Sequence, residues 1–121
     1  MPETVTVLEE QGVIEVVSEG VITREQMGQS LAQVVELRLF RELRRVLVNA
    51  LQATSMPSMM PMYDFAAAVA SQRVLQDVRF AIIRHRRSAE DLDFFETAAG
   101  NRGVQVRVFD TREEALGWLA G

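Results

Sequence analysis

"RVLVNALQATSMPSMMPMYDF" occupies residues 45–65, and the reading of its two halves decides the fold. The first half, "RVLVNAL", is a short apolar run between a charged stretch and a methionine-rich one. It reads as a strand buried on both faces, the kind that parallel sheets contain. The second half holds four of the chain's six methionines and two of its three prolines. Pro61 suits the first turn of a helix, where a missing N–H loses no partner. Phe65, Ala66, Val69 and Ala70 then give that helix an apolar face. A buried strand that passes through a loop into a helix is the repeating unit of an α/β sheet, so this stretch sets the class for its surroundings.

Upstream, "TVTVLEE" alternates, "QG" marks a turn, and "VIEVVSE" resumes the alternation, as in a β-hairpin. "TREQ" follows as a capping box, Thr23 capping while Gln26 reaches back. Met27, Leu31, Val35, Leu39 and Leu43 continue at i+4 spacing, with Arg38, Arg41 and Glu42 outside the stripe. The pattern predicts a long amphipathic helix that breaks near Arg41. Downstream, "VRFAIIR" is a second buried strand. "SAEDLDFFETAAGNRG" is a helix with Ser88 as its cap, acids in its first turns, and Gly100 to Gly103 as its stop. "VQVRVFD" alternates as a strand with one more exposed face, and "TREEALGWL" repeats the capping box with Thr111 and Glu114. The predicted order is β-β-α-β-α-β-α-β-α: an α/β fold, with a mixed five-stranded sheet packed with four helices. Its 121 residues make a single domain, residues 1–121.

Composition removes several chemistries. With no cysteine there are no disulfides, thiolate metal sites or cysteine nucleophiles. All thirteen basic residues are arginine, so Schiff-base and P-loop lysines are excluded. A net charge of −4 argues against nucleic acid as a partner. His85 is the lone histidine, and no spacing supports a zinc, calcium or magnesium site. No G-x-S-x-G marks a nucleophile elbow, and "GNRG" follows a helix rather than a strand, so it is a helix stop and not a phosphate loop. No cofactor and no catalytic residue is expected. The start "MPETVTVLEEQG" lacks the basic and apolar regions of a signal peptide, and no apolar run is long enough to span a bilayer. The expected setting is the cytoplasm.

The order and local phrasing resemble the SpoIIAA-like family of the STAS superfamily, proteins with STAS/Sec14-like domains. "VITREQMGQSLAQVVE" resembles that family's first long helix, "SMPSMMPMYDFAAAVA" its lead-in to the second helix, and "GNRGVQVRVFDTREEALGWL" its last strand and helix. The resemblance covers nearly the whole chain. It implies a non-enzymatic, regulatory binding domain, because the superfamily includes antagonists of anti-sigma factors. It is also often grouped with Sec14-type lipid-binding domains. Regulatory members carry a phosphorylated Ser or Thr, typically just after an Asp, where the second helix starts. Here the resemblance makes Ser58 and Ser55 the phosphoacceptor candidates, although no Asp precedes either and Asn49 stands where an acid often ends the strand. The plainer reading of Ser58 is a turn or cap residue before Pro61.

Ligands of open α/β sheets bind beyond the carboxyl ends of the parallel strands. Three loops are expected to meet there: the methionine-rich stretch, "RHRRS" at residues 84–88, and Asp110 with Thr111. The candidate surface is Met56, Ser58, Met59, Met60, Tyr63, Arg84, His85, Arg86 and Arg87. It would suit a protein partner with an acidic rim, a second copy in a homodimer being the default. The alternative is a carrier of a small amphiphile with an anionic head, held in an apolar cleft beside the methionines. Each candidate also has a bland reading. Met56, Met59, Met60 and Met62 fill core gaps, Tyr63 points its hydroxyl at solvent, and the arginine run is a solvated patch balanced by Glu90, Asp91 and Asp93.

Overall fold

The computed structural model describes residues 3–85 and 89–121. Its elements are β1 (Glu3–Leu8), β2 (Val13–Val21), α1 (Arg24–Arg41), β3 (Arg45–Ser55), α2 (Met59–Ser71), β4 (Arg79–Arg84), α3 (Ala89–Gly100), β5 (Gln105–Phe109) and α4 (Arg112–Ala120). A short 3₁₀ turn, Arg73–Leu75, precedes β4. The five strands lie in the order β1-β2-β3-β4-β5. β1 pairs antiparallel with β2, and every later pairing is parallel. This is the predicted order and class.

Local chemistry explains the element ends. Gly12 takes φ +66° in the hairpin turn, a backbone that glycine adopts without strain. Thr23 accepts the Gln26 N–H at 3.2 Å, and the Gln26 side chain accepts the Thr23 N–H at 2.9 Å, so the first capping box is complete. α1 stops at Arg41 because Glu42 turns left-handed. Thr111 accepts the Glu114 N–H, but the Glu114 carboxylate takes the Thr111 hydroxyl proton rather than closing a box. α3 ends at Gly100, and Gly103 at φ +89° turns the chain into β5. The predicted cap of α3, Ser88, lies outside the described residues.

Helices α1, α2 and α3 pack on one face of the sheet, against Ile14, Val16, Val46, Phe80, Ile82 and Val106. α4 covers the other face with Ala115 and Leu119, against Val13, Leu47, Ala81 and Ile83. Glu15 lies on the strand between those two sets of neighbours and is buried. Arg112 at the start of α4 reaches it with a forked pair of bonds at 2.6 and 3.2 Å. That pairing raises the Arg112 pKa above its ordinary value. At the opposite end of the sheet, Arg38 and Arg44 both clasp Asp77 just before β4.

Two expectations change. The i+4 stripe was carried too far: successive i+4 positions rotate about 40° around a helix, so the line leaves the core. The buried line is Met27, Ser30 and Val34, while Leu39 is 54% exposed and Leu43 lies beyond the helix end. β3 is also longer than "RVLVNAL" and runs on through Gln52 to Ser55. Replacing Leu47 by Ala is expected to cost about 2–5 kcal/mol in urea denaturation, because the side chain is fully enclosed. Leu39→Ala is expected to shift stability by no more than about 0.5 kcal/mol. Hydrogen bonds from Arg38 and then Arg44 hold the Asp77 carboxyl below its ordinary pKa. A depressed carboxylate stabilises above its unfolded pKa and loses that effect as pH falls through the folded value. Asp77→Asn should therefore flatten the loss of stability that wild type shows below about pH 4.

Candidate functional site

The parallel strands end at one edge of the sheet, but not at one level. Ala50 of β3 is opposite Arg84, the last residue of β4, and Ile83 is opposite Phe109, the last residue of β5. β3 continues for five more residues to Ser55, still paired to β2 through Gly20 and Val21. At about 3.3 Å per residue that overshoot lifts the methionine-rich loop roughly 15 Å beyond the ends of β4 and β5. The edge is a staircase with a low step and a high step.

The pairing tells how β3 makes the climb. Val17 faces Asn49 and Glu19 faces Gln52, then Gly20 faces Ala53 and Val21 faces Ser55, so β3 gains one residue on β2 twice. Such bulges bend and twist a strand and are common beside functional sites. At the first of them the Asn49 side chain accepts the Leu51 N–H at 3.2 Å. Asn49 thus serves the bulge rather than ending the strand.

At the low step the second and third predicted loops meet through Arg84 and Asp110, the only contact between them among the described residues that the ion pairs show. Arg84 lies 3.4 Å from Asp93 of α3 and 3.3 Å from Asp110 after β5. Its charge is shared by two carboxylates, in line with the reading in which Asp93 balances the arginine run. Asp91 in the first turn of α3 has its pKa raised, first by burial and then by Glu90. His85 is exposed. Arg86 and Arg87 lie outside the described residues.

The high step sorts the methionines one by one. Met62 is fully buried in the core, and Met56 is partly buried against it. Met59 and Met60 are 59% and 75% exposed on the first turn of α2. Ser58 holds the N-cap position of α2 with extended backbone, yet its side chain makes no capping bond and is exposed. Ser55 is exposed at the end of β3, its carbonyl accepting the Ile22 N–H. Tyr63 is exposed, but its hydroxyl is not left to solvent alone. It accepts a bond from Arg102 at 2.9 Å, and the guanidinium also sits 5.1 Å from the ring centroid.

A feature that the sequence reading passed over lies beneath this edge. An apolar cavity of about 70 Å³ sits between the sheet and α1, α2 and α3, walled in part by Met56, Met62, Phe65 and Phe95. Arg24 of α1 reaches across to α2, 3.2 Å from Asp64 and 5.1 Å from the Phe65 ring centroid. Three polar residues border it with their polar atoms turned to one another. The Glu3 carboxylate accepts the Ser18 hydroxyl at 2.6 Å and the Ser30 hydroxyl at 2.7 Å, both serines being buried. The signal was present in the patterns: Ser18 falls on the alternating core line of Ile14 and Val16, and Ser30 on the helical core line of Met27 and Val34. Among the described residues, no three metal-binding side chains come together, and no helix is long and apolar enough to cross a membrane.

No protein-family model and no curated protein matches the chain. Solved structures do. An uncharacterized DUF3478-family protein with a SpoIIAA-like fold from Shewanella loihica superposes with a TM-score of 0.61 at 17% identity, over 97% of this chain and 91% of that one. The anti-sigma factor antagonist SpoIIAA, in its unphosphorylated form, superposes with a TM-score of 0.63 at 13% identity, over 98% of both chains. At these identities the likeness is one of fold. The chain has a SpoIIAA-like α/β fold. Within it, Asn49→Ala is expected to leave the Leu51 N–H without its acceptor and to cost about 1 kcal/mol in denaturant unfolding. Amide exchange at Leu51 should quicken in that variant.

Proposed function

We propose that this chain is a non-catalytic, cytoplasmic binding domain that docks a protein partner through the first turns of α2. The observation that carries the reading is the exposure of Met59 and Met60, with Tyr63 beside them, on a turn without a charged side chain. Methionine adapts its shape to a partner, and clustered exposed apolar side chains mark interaction surfaces. The fold is shared with an anti-sigma factor antagonist. Ser58 stands at the edge of this surface with its hydroxyl uncommitted to capping, where an added phosphate would meet the free N–H groups and the dipole of α2.

The fatty-acid carrier draws less support. Arg84 is already engaged by two aspartates, and among the described residues no arginine lines the apolar cavity. Its volume of about 70 Å³ is small beside the ~300–1,000 Å³ of pockets that enclose drug-sized ligands.

The test starts from the partner that co-purifies in stoichiometric amount with the wild-type protein. That partner is identified, purified and titrated, and native mass spectrometry decides whether it is a second copy of the chain. Met60→Asp is expected to weaken the complex at least tenfold while leaving the circular dichroism unchanged. Ser58→Asp is expected to weaken it as well. It should leave stability unchanged or raise it by up to ~1 kcal/mol, since aspartate is a good N-cap and suits the helix dipole. Equal affinity across wild type and both variants would remove the α2 face from the reading.

A further inference from the structure

We propose that the chain pairs with a second copy of itself, two-fold and antiparallel, through the outer edge of β1 and the groove that α1 forms beside it. This surface lies apart from the first turns of α2, and the inference does not rest on the docking proposed there.

The two edges of the sheet are finished differently. β5 ends one side, and there Glu96 of α3 accepts the Val108 N–H at 2.7 Å. That group is thereby closed to another strand, and the exposed Arg107 adds a charge to the same edge. β1 ends the other side, and among the described residues its only strand partner is β2. In an antiparallel pair alternate residues turn their N–H and C=O away from the partner. Among the described residues no side chain takes up those groups of β1 as Glu96 does at β5. Native edges are otherwise protected by charge, proline or a bulge. Residues 4–8, "TVTVL", carry none of these, and their register with β2 is unbroken. Glu3, the one acid of the strand, is turned inward onto Ser18 and Ser30. Threonine and valine are good strand formers, so this edge is a template for one more strand.

The groove beside the edge indicates whose strand that is. α1 runs along β1 in the same direction, tied to it at Ser30 with Glu3 and at Arg41 with Glu9. Between the ties lies an open groove lined by Val5, Val7, Glu36, Leu37, Phe40 and Arg41. Phe40 is 80% exposed there. Antiparallel pairing of β1 with its own copy lays the two α1 helices side by side, in opposite directions, on one face of the joined sheet. A two-fold axis between Arg38 and Leu39 brings Phe40 level with Leu37 of the second copy. The same axis brings Glu36 level with Arg41 of the second copy, since both pairs have that midpoint. Symmetry makes each match twice. The groove thus complements itself in charge and in apolar surface. Head-to-tail pairing of β1 onto β5 of a further copy would grow a filament, and Glu96 stands against it. The pair closes and leaves only the protected edges outside.

The test is sedimentation equilibrium of the purified full chain, with Phe40→Asp and Met60→Asp as variants and amide exchange measured on each. Phe40 is exposed, so its replacement leaves the monomer folded. The expected result is a wild type of twice the chain mass. Phe40→Asp should raise the dissociation constant at least tenfold, as loss of an aromatic anchor does. Met60→Asp should pair as tightly as wild type. Amide exchange reads the strand directly. In the wild-type dimer every β1 amide should be slow, and in monomeric Phe40→Asp alternate β1 amides should be quick. A wild type that stays monomeric at all concentrations would overturn the proposal. So would a dimer that Met60→Asp dissociates and Phe40→Asp does not, which places the second copy on α2. A dimer whose alternate β1 amides remain quick would overturn the strand pairing. Loss of α2 docking in its own test changes none of these readings.

Discussion

The handedness of the strand crossovers is the constraint on which the rest depends. A β-α-β connection between parallel strands is almost always right-handed. When strands β2 to β5 follow one another in spatial order, all three crossovers turn the same way and deliver α1, α2 and α3 to one face. The other face receives only what is left of the chain, the nine-residue α4. One helix does not cover five strands. Trp118 therefore spreads over the gap, 5.8 Å from the Phe109 ring and beneath the Arg79 guanidinium at 4.1 Å. Beyond its reach, β2 presents Glu15 instead of an aliphatic side chain, and Arg112 closes over it. The forked bond ties the second strand to the last helix and replaces apolar cover that the topology cannot provide.

The crowded face has the reverse problem of fitting three helices on one sheet. α2 and α3 share an aromatic contact, Phe65 with Phe95 at 5.6 Å between centroids. α1 is held to α2 by Arg24, and between them the packing leaves the cavity. The overshoot of β3 adds to this. Because α2 must begin where β3 stops, its first turn starts above the ends of β4 and β5, where Met59 and Met60 have no sheet to pack on. Three residues further on, Met62 has turned inward and is fully buried. Exposure of the first pair follows from strand length and helical phase together.

Local pattern carried the order of elements because each rule involved is local. Alternation in "TVTVLEE", the Thr23 and Gln26 box and the glycines after α3 act within a few residues. What escaped the sequence depends on distance along the chain. "QATS" has too little apolar content to announce a strand, and it extends β3 because β2 is there to pair with it. The fate of Arg84 was set by Asp110, twenty-six positions later, and that of Tyr63 by Arg102. The partition of the methionines needed the start of α2 to within one residue, since a shift of one position rotates a side chain by about 100°. Leu39 was misplaced by following a single spacing too long.

The polar corner at Glu3 shows the same limit from the other side. Its three members stand at residues 3, 18 and 30, and no one segment shows that they meet. Ser18 comes opposite Glu3 only when the hairpin closes, and Ser30 reaches it only when α1 folds back. Glu3 and Glu15 are both carboxylates set among apolar side chains. Burying a charge is costly unless a partner compensates it. At Glu15 the chain supplies that partner from its own far end, and the pair is complete. At Glu3 it supplies two hydroxyls, from Ser18 and Ser30, that orient the group. The carboxylate suits this tie because both of its oxygens accept, one bond from each serine.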